Sequence, residues 1–199
     1  MIYERICADE LTLSDFELSA RLKMPVGTLP ENFEECKSAL FAAAAPAFTA
    51  ERARVRFLSD ARAELCGRVL ESRALAKALA GCDEALFLSA TLGFGAERLL
   101  RRYAASSPSL HFVTDAIADA LVEALCDAAE ARVLSAEEHT ARFSPGYADL
   151  PLSFVKDILE KTNAEKLLGV GLTDSYLAIP TKTVTAVIGI KTVPKGNEK

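Results

Sequence analysis

The longest run of helical periodicity in this chain extends from about Leu110 to about Val133, and shorter β-rich stretches lie on both sides of it. Alternating or uniformly apolar residues predict strands at 54–58 and 84–90, and a pair of strands within 172–193. These elements do not follow the regular alternation of a doubly wound parallel sheet. We therefore predict an α+β fold, in which a mixed or antiparallel sheet is covered by packed long helices.

Shorter helices are predicted where apolar periodicity is bounded by capping residues, glycine or proline. They cover about 18–24, 30–44, 72–80, 95–103 and 149–162. Ser72 and Asp149 are the expected N-caps of the third and fifth of these helices. Gly93 to Gly95 is expected to be a tight turn, because it lacks the remaining residues of a dinucleotide-binding motif. The final pair of strands is predicted to form a hairpin with Pro180-Thr181 at its turn.

Charge and hydropathy narrow the classes of partner. The chain has 23 Lys and Arg residues against 28 Asp and Glu residues, a net charge of −5. No surplus of cations is available to neutralise phosphates, so we expect no nucleic-acid partner. The basic cluster at 98–102 is expected to form a solvated helix face. Without a signal peptide or a long uncharged apolar run, the sequence indicates a cytoplasmic protein with no membrane contact.

The sequence indicates neither a metal site nor a catalytic set of side chains. Its five cysteines lack C-x-x-C spacing, and its two histidines, His111 and His139, have no companions at ligand spacing. We therefore expect reduced, mostly buried thiols and no metal site. No Ser-His-Asp set can be assembled with confidence, and no Gly-rich phosphate loop is present. Self-contained catalysis is not expected, and whether the chain is an enzyme stays open.

The segment 142–147, Arg-Phe-Ser-Pro-Gly-Tyr, combines a fixed cation, a turn and an aromatic hydroxyl. A guanidinium such as that of Arg142 is the natural bidentate partner of a carboxylate. Pro145-Gly146 predicts a type II turn, in which Gly146 lets a ligand approach the bare backbone. Tyr147 adds a flat face and a hydrogen-bonding tip. Two interpretations follow, a ligand-binding loop or only the loop that opens the next helix.

A longer stretch favours the first interpretation. From about residue 111 to about residue 190 the chain resembles the S-adenosylmethionine-binding activation domain of cobalamin-dependent methionine synthase. Three blocks carry the resemblance in the same order: a helical run at 115–125, the Arg-x-x-Pro-Gly-Tyr loop at 142–147, and Leu-Thr-Asp-Ser at 172–175 followed by β-rich residues 183–190. The middle block is fairly specific, whereas each of the other two is weak alone.

The resemblance implies roles for the loop residues. Arg142 matches the family arginine that grips the ligand's carboxylate. Ser144 and Gly146 lie where the family's loop offers backbone groups to the ligand, and Tyr147 is the aromatic partner. S-adenosylmethionine is therefore the expected ligand, and cobalamin is expected only through a partner protein.

Asp119 and Glu123 match an acidic pair of the family and lie at i and i+4, so they share one helix face. In the family this face meets the cobalamin-carrying domain and can receive the histidine released from cobalt. A carboxylate pair would stabilise the imidazolium form of that histidine. The alternative is an ordinary solvated face.

The chain departs from the family pattern in several places. Its N-terminal half has no visible match, so the acidic residue that holds the ligand's amino group is unassigned, with Asp9, Asp15 and Glu17 as weak candidates. The family's C-terminal extension, which brings another tyrosine, has no counterpart after Ile190. We accordingly predict an N-terminal helical segment specific to this chain at 1–50, an activation-domain-like core at 51–193 and a frayed tail at 194–199.

The cobalamin-ligating Asp-x-His-x-x-Gly motif and a zinc thiolate site are both missing from the sequence. The resemblance therefore implies a stand-alone activation subunit that supports reductive remethylation of cobalamin in a separate methionine synthase or related corrinoid protein. A flavodoxin-like donor acting on that partner would supply the electron. Two alternatives stay open: an S-adenosylmethionine-binding regulatory module or activator of another corrinoid protein, and a structural adaptor that has lost the ligand site.

Overall fold

The computed structural model describes residues 1–191. Within them lie eight strands and seven α-helices, and a short 3-10 helix at Ala8–Glu10. The strands are β1 Ile2–Arg5, β2 Ala47–Ser59, β3 Arg62–Leu65, β4 Arg68–Glu71, β5 Glu84–Thr91, β6 Gly171–Leu172, β7 Ala178–Ile179 and β8 Thr183–Ile190. The helices are α1 Asp15–Leu22, α2 Phe33–Ala43, α3 Arg73–Ala78, α4 Gly93–Ser106, α5 Pro108–Leu134, α6 Phe154–Lys161 and α7 Ala164–Leu168.

The main sheet has the strand order β4-β3-β2-β5-β8, and every pairing in it is antiparallel. The long strand β2 takes two partners on one side: β1 pairs with its first residues and β3 with its last ones. A separate two-stranded sheet joins β6 to β7. The prediction of an α+β fold with an antiparallel sheet and packed helices is confirmed.

Helices cover both faces of the sheet because its central strands are apolar on both sides. On one face, Phe48, Leu88 and Ile188 join a core built from α1, α2, α4 and the buried length of α5. On the other face, Phe87 packs edge-on against Phe154 of α6, with the ring centroids 6.3 Å apart. Strand β8 therefore lies between α5 and α6, and this position decides where the candidate site forms.

The first fifty residues belong to the same packed unit as the rest. The predicted boundary at 50/51 falls inside β2, which runs unbroken from Ala47 to Ser59. Leu18 of α1 and Leu40 of α2 are buried in the core that α5 also enters. The predicted helices at 18–24 and 30–44 are confirmed as α1 and α2. The segment also contains strand β1, so it is not purely helical. The predicted tail at 194–199 lies outside the described residues.

Two predictions about turns are wrong. The hairpin turn lies between β6 and β7, at residues 173–177, whereas Pro180 and Thr181 connect β7 to β8 in the main sheet. Residues 93–95 do not form a separate tight turn, because α4 already begins at Gly93. Gly93 has a φ of +78°, which lets the chain turn from β5 directly into the helix.

Asp149 caps a different helix from the one that the sequence predicts. Helix α6 begins later, at Phe154, and the carboxylate of Asp149 points instead to the N-terminus of α3. It accepts hydrogen bonds from the Ser72 hydroxyl and from the backbone N–H groups of Arg73 (2.8 Å) and Ala74 (3.2 Å). Ser72 itself is the N-cap of α3, as predicted, and accepts from the N–H of Leu75 at 3.0 Å.

We expect Asp149→Ala to lower the melting temperature at neutral pH. The hydrogen bond from Ser72 holds the pKa of Asp149 below its ordinary value, with further help from the N–H groups of Arg73 and Ala74. A depressed folded-state pKa contributes stability above the unfolded-state pKa, and this contribution is lost as pH falls through the folded-state value. Melting curves of parent and variant should therefore converge in acid, and a constant difference at every pH would contradict the capping role.

Candidate functional site

The predicted binding loop lies beside the outer edge of β8. The chain first runs along that edge: Phe143 and Val187 exchange two backbone hydrogen bonds of 2.9 Å, and Thr140 N–H donates to Gly189 O at 2.9 Å. After Phe143 the chain leaves the edge. A cleft of about 350 Å³ opens there between the loop and the first residues of β8.

Three regions that are far apart in sequence line this cleft. They are Glu123 of α5, the loop with Ser144, Pro145 and Tyr147 and the apolar residues Leu152 and Val155 after it, and the stretch from the β6–β7 hairpin into β8, with residues 176–178, 181 and 183–185. Of the four predicted ligand-binding residues, Ser144 and Tyr147 line the cleft. Arg142 and Gly146 do not line it, but Arg142 contacts the lining residue Glu123, and Gly146 lies between Pro145 and Tyr147 in the chain.

The Pro-Gly pair forms the turn that the sequence predicts. Tyr147 N–H donates to Ser144 O at 3.3 Å, and Gly146 has a φ of +87°. These two features are typical of a type II turn. The Gly146 N–H donates to Leu150 O at 2.9 Å, so this N–H is used within the loop. The side chain of Tyr147 is 69% exposed and leaves its ring available at the cleft rim.

Arg142 is held by three carboxylates of α5. Its Nη2 donates to Glu123 at 3.0 Å, and its Nη1 donates to Asp127 at 2.8 Å and to Glu130. Burial would lower the pKa of Arg142, but the hydrogen bond with Asp127 and the surrounding acidic groups outweigh burial and raise it. A guanidinium has five N–H donors, so two stay unused among residues 1–191. Two donors are what one bidentate carboxylate contact requires.

Glu123 is the only carboxylate lining the cleft within the described part of the chain. Its side chain is one third exposed. Burial raises the pKa of Glu123, and the neighbouring Arg142 partly offsets that effect. At neutral pH the cleft therefore has one acidic wall group, which suits a cationic ligand group.

Asp119 lies one helical turn before Glu123, and its carboxylate is paired inside the protein. It contacts Lys182 Nζ at 2.6 Å and an Arg21 guanidinium N at 2.9 Å, and Lys182 also contacts Asp115 at 2.8 Å. Lys182 thus ties the cleft wall to α5. The predicted role of Asp119 and Glu123 at a partner interface stays a prediction.

Glu97 of α4 is a site residue that sequence reasoning missed. Only 6% exposed, it accepts hydrogen bonds from Thr181 N–H (2.9 Å), Thr181 Oγ1 (2.6 Å) and Arg101 Nε (2.8 Å). Burial would raise the pKa of Glu97, but the hydrogen bonds from Thr181 and Arg101 outweigh burial and lower it. In the sequence, Glu97 and Arg101 look like an ordinary i,i+4 surface pair. Glu97 instead fixes Thr181 in the cleft wall.

The N-terminal acidic candidates precede α2, and Glu17 is close enough to Glu123 that its charge adds to burial in raising the pKa of Glu123. Asp9 is in the 3-10 helix, Asp15 begins α1, and Glu17 pairs with Arg21 at 3.5 Å. None of these three side chains lines the cleft. Across residues 1–191 we find no group of three or more His, Cys, Asp and Glu side chains arranged to hold a metal. Within the same range, no helix is both long enough and apolar enough to cross a membrane.

A second and larger cleft, of about 620 Å³, adjoins the first between α6, α7 and the β6–β7 hairpin. Its floor is apolar, with Leu159, Val170 and Leu172, and its rim is charged. Tyr176 lines both clefts. The hairpin turn is therefore the element that the two clefts share.

No protein-family model matches the chain, and a search of curated proteins found no match. Solved structures do match, among them the crystal structure of the MetH reactivation domain bound to AdoHcy. The superposition has a TM-score of 0.72 and covers 96% of this chain and 78% of that one, at 16% sequence identity. The chain has the fold of the MetH reactivation domain. Because the superposition covers nearly the whole chain, most of residues 1–50 are part of that MetH reactivation domain fold.

Proposed function

We propose that the chain binds S-adenosylmethionine in the cleft beside β8 and, as a stand-alone activation subunit, supports reductive remethylation of cobalamin in a separate protein. The observation that carries this proposal is the placement of the Arg-x-x-Pro-Gly-Tyr loop on a ligand-sized cleft within the fold of the MetH reactivation domain. The matching domain was crystallised with AdoHcy, the demethylated form of the same compound.

The wall chemistry of the cleft fits this ligand. S-adenosylmethionine combines a sulfonium and an ammonium with a carboxylate and a planar base. Glu123 offers a carboxylate to the cationic groups, and Arg142, which contacts Glu123 at 3.0 Å, has two unused donors that suit the ligand carboxylate. Tyr147 offers a flat aromatic face, and Ser144 a half-exposed backbone and hydroxyl. Glu123 is therefore our candidate for the amino-group contact that the sequence left unassigned.

The residues of this chain act by placement. When bound, S-adenosylmethionine would supply the methyl group and be left as S-adenosylhomocysteine, and a flavodoxin-like donor would supply the electron to the partner protein. Holding the methyl donor in one orientation converts an encounter between two molecules into an intramolecular step. Hydrogen bonds hold the cleft wall in place for such an orientation. Thr181 donates to Glu97 and Thr183 donates to Thr91, while Lys182 between them is bonded to Asp119.

We further propose that the α5 face carrying Asp119 and Glu123 meets the partner, a cobalamin-dependent methionine synthase or a related corrinoid protein. Both carboxylates are partly exposed, at 31% and 32% of their side-chain surface, and both are already paired with cations. A partner histidine would therefore join an existing ion-pair network. A stand-alone subunit of this kind needs a specific interface to compensate for the lower effective concentration of an untethered partner.

Calorimetric titration tests the ligand. We expect saturable binding of S-adenosylmethionine and S-adenosylhomocysteine, and none of ATP. The pKa of Glu123 is raised above its ordinary value of 4.5. The Glu123 carboxylate is therefore protonated, and loses its negative charge, as pH falls through its raised pKa. Below that pKa, the affinity for S-adenosylmethionine should drop by up to about tenfold per pH unit. Glu123→Gln should bind more weakly at pH 7.5 and lose this pH dependence.

Reactivation requires a second assay. A cobalamin-dependent methionine synthase that lacks its own activation domain is inactivated by oxidation and then supplied with reductant, S-adenosylmethionine and this chain. Recovery of methionine formation only when the chain is present supports the proposal. Ligand binding without recovery would point to a regulatory module, and absence of binding even with the partner present would leave the structural adaptor.

A further inference from the structure

We infer that Tyr176, in the hairpin turn between β6 and β7, is a second aromatic contact for the planar base of the ligand. This inference rests on the proposed function, because it assigns a residue to the same cleft. Nothing in the sequence pattern of the binding loop points to it. Its support comes from backbone conformation, position and exposure.

Tyr176 has a left-handed backbone conformation that is unfavourable for its residue type. Its φ is +62°, in the region where glycine and asparagine are normally found. A tyrosine there costs conformational free energy that a glycine would avoid. Backbone strain of this kind concentrates at binding and active sites, although Lys23 and Cys66 of this chain adopt the same conformation elsewhere. The conformation of Tyr176 therefore adds to its position beside the cleft, which carries the inference.

Hydrogen bonds across the turn fix the position from which the ring projects. Tyr176 N–H donates to Thr173 O at 3.0 Å, and Thr173 N–H donates to Leu177 O at 2.9 Å. The Leu177 N–H also donates to Thr173 Oγ1 at 3.0 Å. The backbone of the turn thus has a defined geometry, which fixes where the side chain of Tyr176 leaves the chain.

The ring borders the ligand cleft without being part of the core. Tyr176 is 40% exposed, and it lines both the 350 Å³ cleft and the adjoining 620 Å³ cleft. Tyr147 reaches the same cleft from the loop that leaves β8. Two tyrosines from separately anchored segments therefore border one cleft. Aromatic faces are what a planar base recognises, because stacking needs a π-surface and few specific hydrogen bonds.

The test compares Tyr176→Gly, Tyr176→Phe and the control Tyr3→Leu. Tyr3 is 41% exposed on β1 and does not line the cleft, so it matches Tyr176 in exposure. We expect Tyr176→Gly to lower the affinity for S-adenosylhomocysteine about tenfold, as loss of one base–aromatic stack does. The melting temperature should not fall, because glycine suits the left-handed conformation. Tyr176→Phe and Tyr3→Leu should bind as the parent does.

The outcomes separate this inference from the proposed function. Tyr176 is one of only four tyrosines in a chain without tryptophan, so affinities are compared by calorimetry and not by tyrosine fluorescence. If the parent binds S-adenosylhomocysteine and Tyr176→Gly binds it equally well, the assignment of Tyr176 is wrong while the cleft assignment stands. A joint fall in affinity and melting temperature would show a structural role and overturn it too. If the parent binds no adenosyl compound at all, both proposals fail together.

Discussion

Replacing Gly95 with alanine should be among the most damaging single substitutions in this protein, with a loss of about 3 kcal/mol or more in the free energy of unfolding. Gly95 lies in the first turn of α4, where this helix crosses the end of α2. A β-carbon at this position would lie 1.8 Å from the carbonyl oxygen of Ala43 and 2.9 Å from its carbonyl carbon. Both atoms are backbone, so relief requires the two helices to separate.

The same substitution should weaken ligand binding, although Gly95 does not line the cleft. Glu97 is two residues further along α4 and fixes Thr181 in the cleft wall. A shift of the start of α4 therefore displaces the wall of the site. Urea unfolding followed by circular dichroism gives the stability, and calorimetry gives the affinity.

Gly171→Ala is the matched control for Gly95→Ala. Gly171 has no heavy atom within 4 Å of the position of an added β-carbon, and its φ is not in the left-handed region. We expect its stability to change by less than about 0.5 kcal/mol. If Gly95→Ala were as stable as this control, the helices α2 and α4 would be able to separate without cost, and the close approach would not matter for the fold.

The features that were predictable from sequence are those that local physics determines. Helix α5 follows from apolar periodicity sustained over its length. The predicted bounds, about 110–133, agree with the observed Pro108–Leu134 to within two residues at each end. The turn at Pro145-Gly146 follows from the backbone preferences of these two residue types. The cap at Ser72 follows from its place before a helical run.

Long-range partners were not predictable in the same way. Asp149 reaches the start of α3 from 75 or more residues away, and a local rule assigns it to the next helix in the chain. Glu97 and Thr181 are 84 residues apart. The hairpin turn at 173–177 was not predictable from the sequence for a different reason. Tyr176 takes the left-handed position where a glycine or asparagine would have marked the turn, so Pro180 provided the stronger but misleading signal.

Arg142→Ala should destabilise the fold by about 2 kcal/mol at neutral pH, because it removes the cation from a cluster of three carboxylates. Breaking a fully buried pair costs more, but Asp127 is 72% exposed and Glu123 is one third exposed, so solvent screens part of the loss. Glu130, with only 15% of its side chain exposed, loses its cation with the least screening by solvent. Binding of S-adenosylmethionine should weaken as well, by about 1.5–3 kcal/mol.

The direction in which the stability loss of Arg142→Ala changes with pH shows whether Arg142 stabilises the fold by its charge or by its packing. Without the guanidinium, the burial of Glu123 and the nearby charge of Asp127 lose their main offset, so the pKa of Glu123 in the folded state rises further above its value in the unfolded chain. Carboxyl groups shifted upwards stabilise the fold below the unfolded-state pKa, and this contribution is lost as pH rises through the folded-state values. The deficit of the variant should therefore be largest at pH 7 and shrink towards pH 4. A deficit of equal size at both values would mean that Arg142 acts through its aliphatic packing, and Arg142→Met, which keeps an apolar stem but no charge, would then be nearly as stable as the parent.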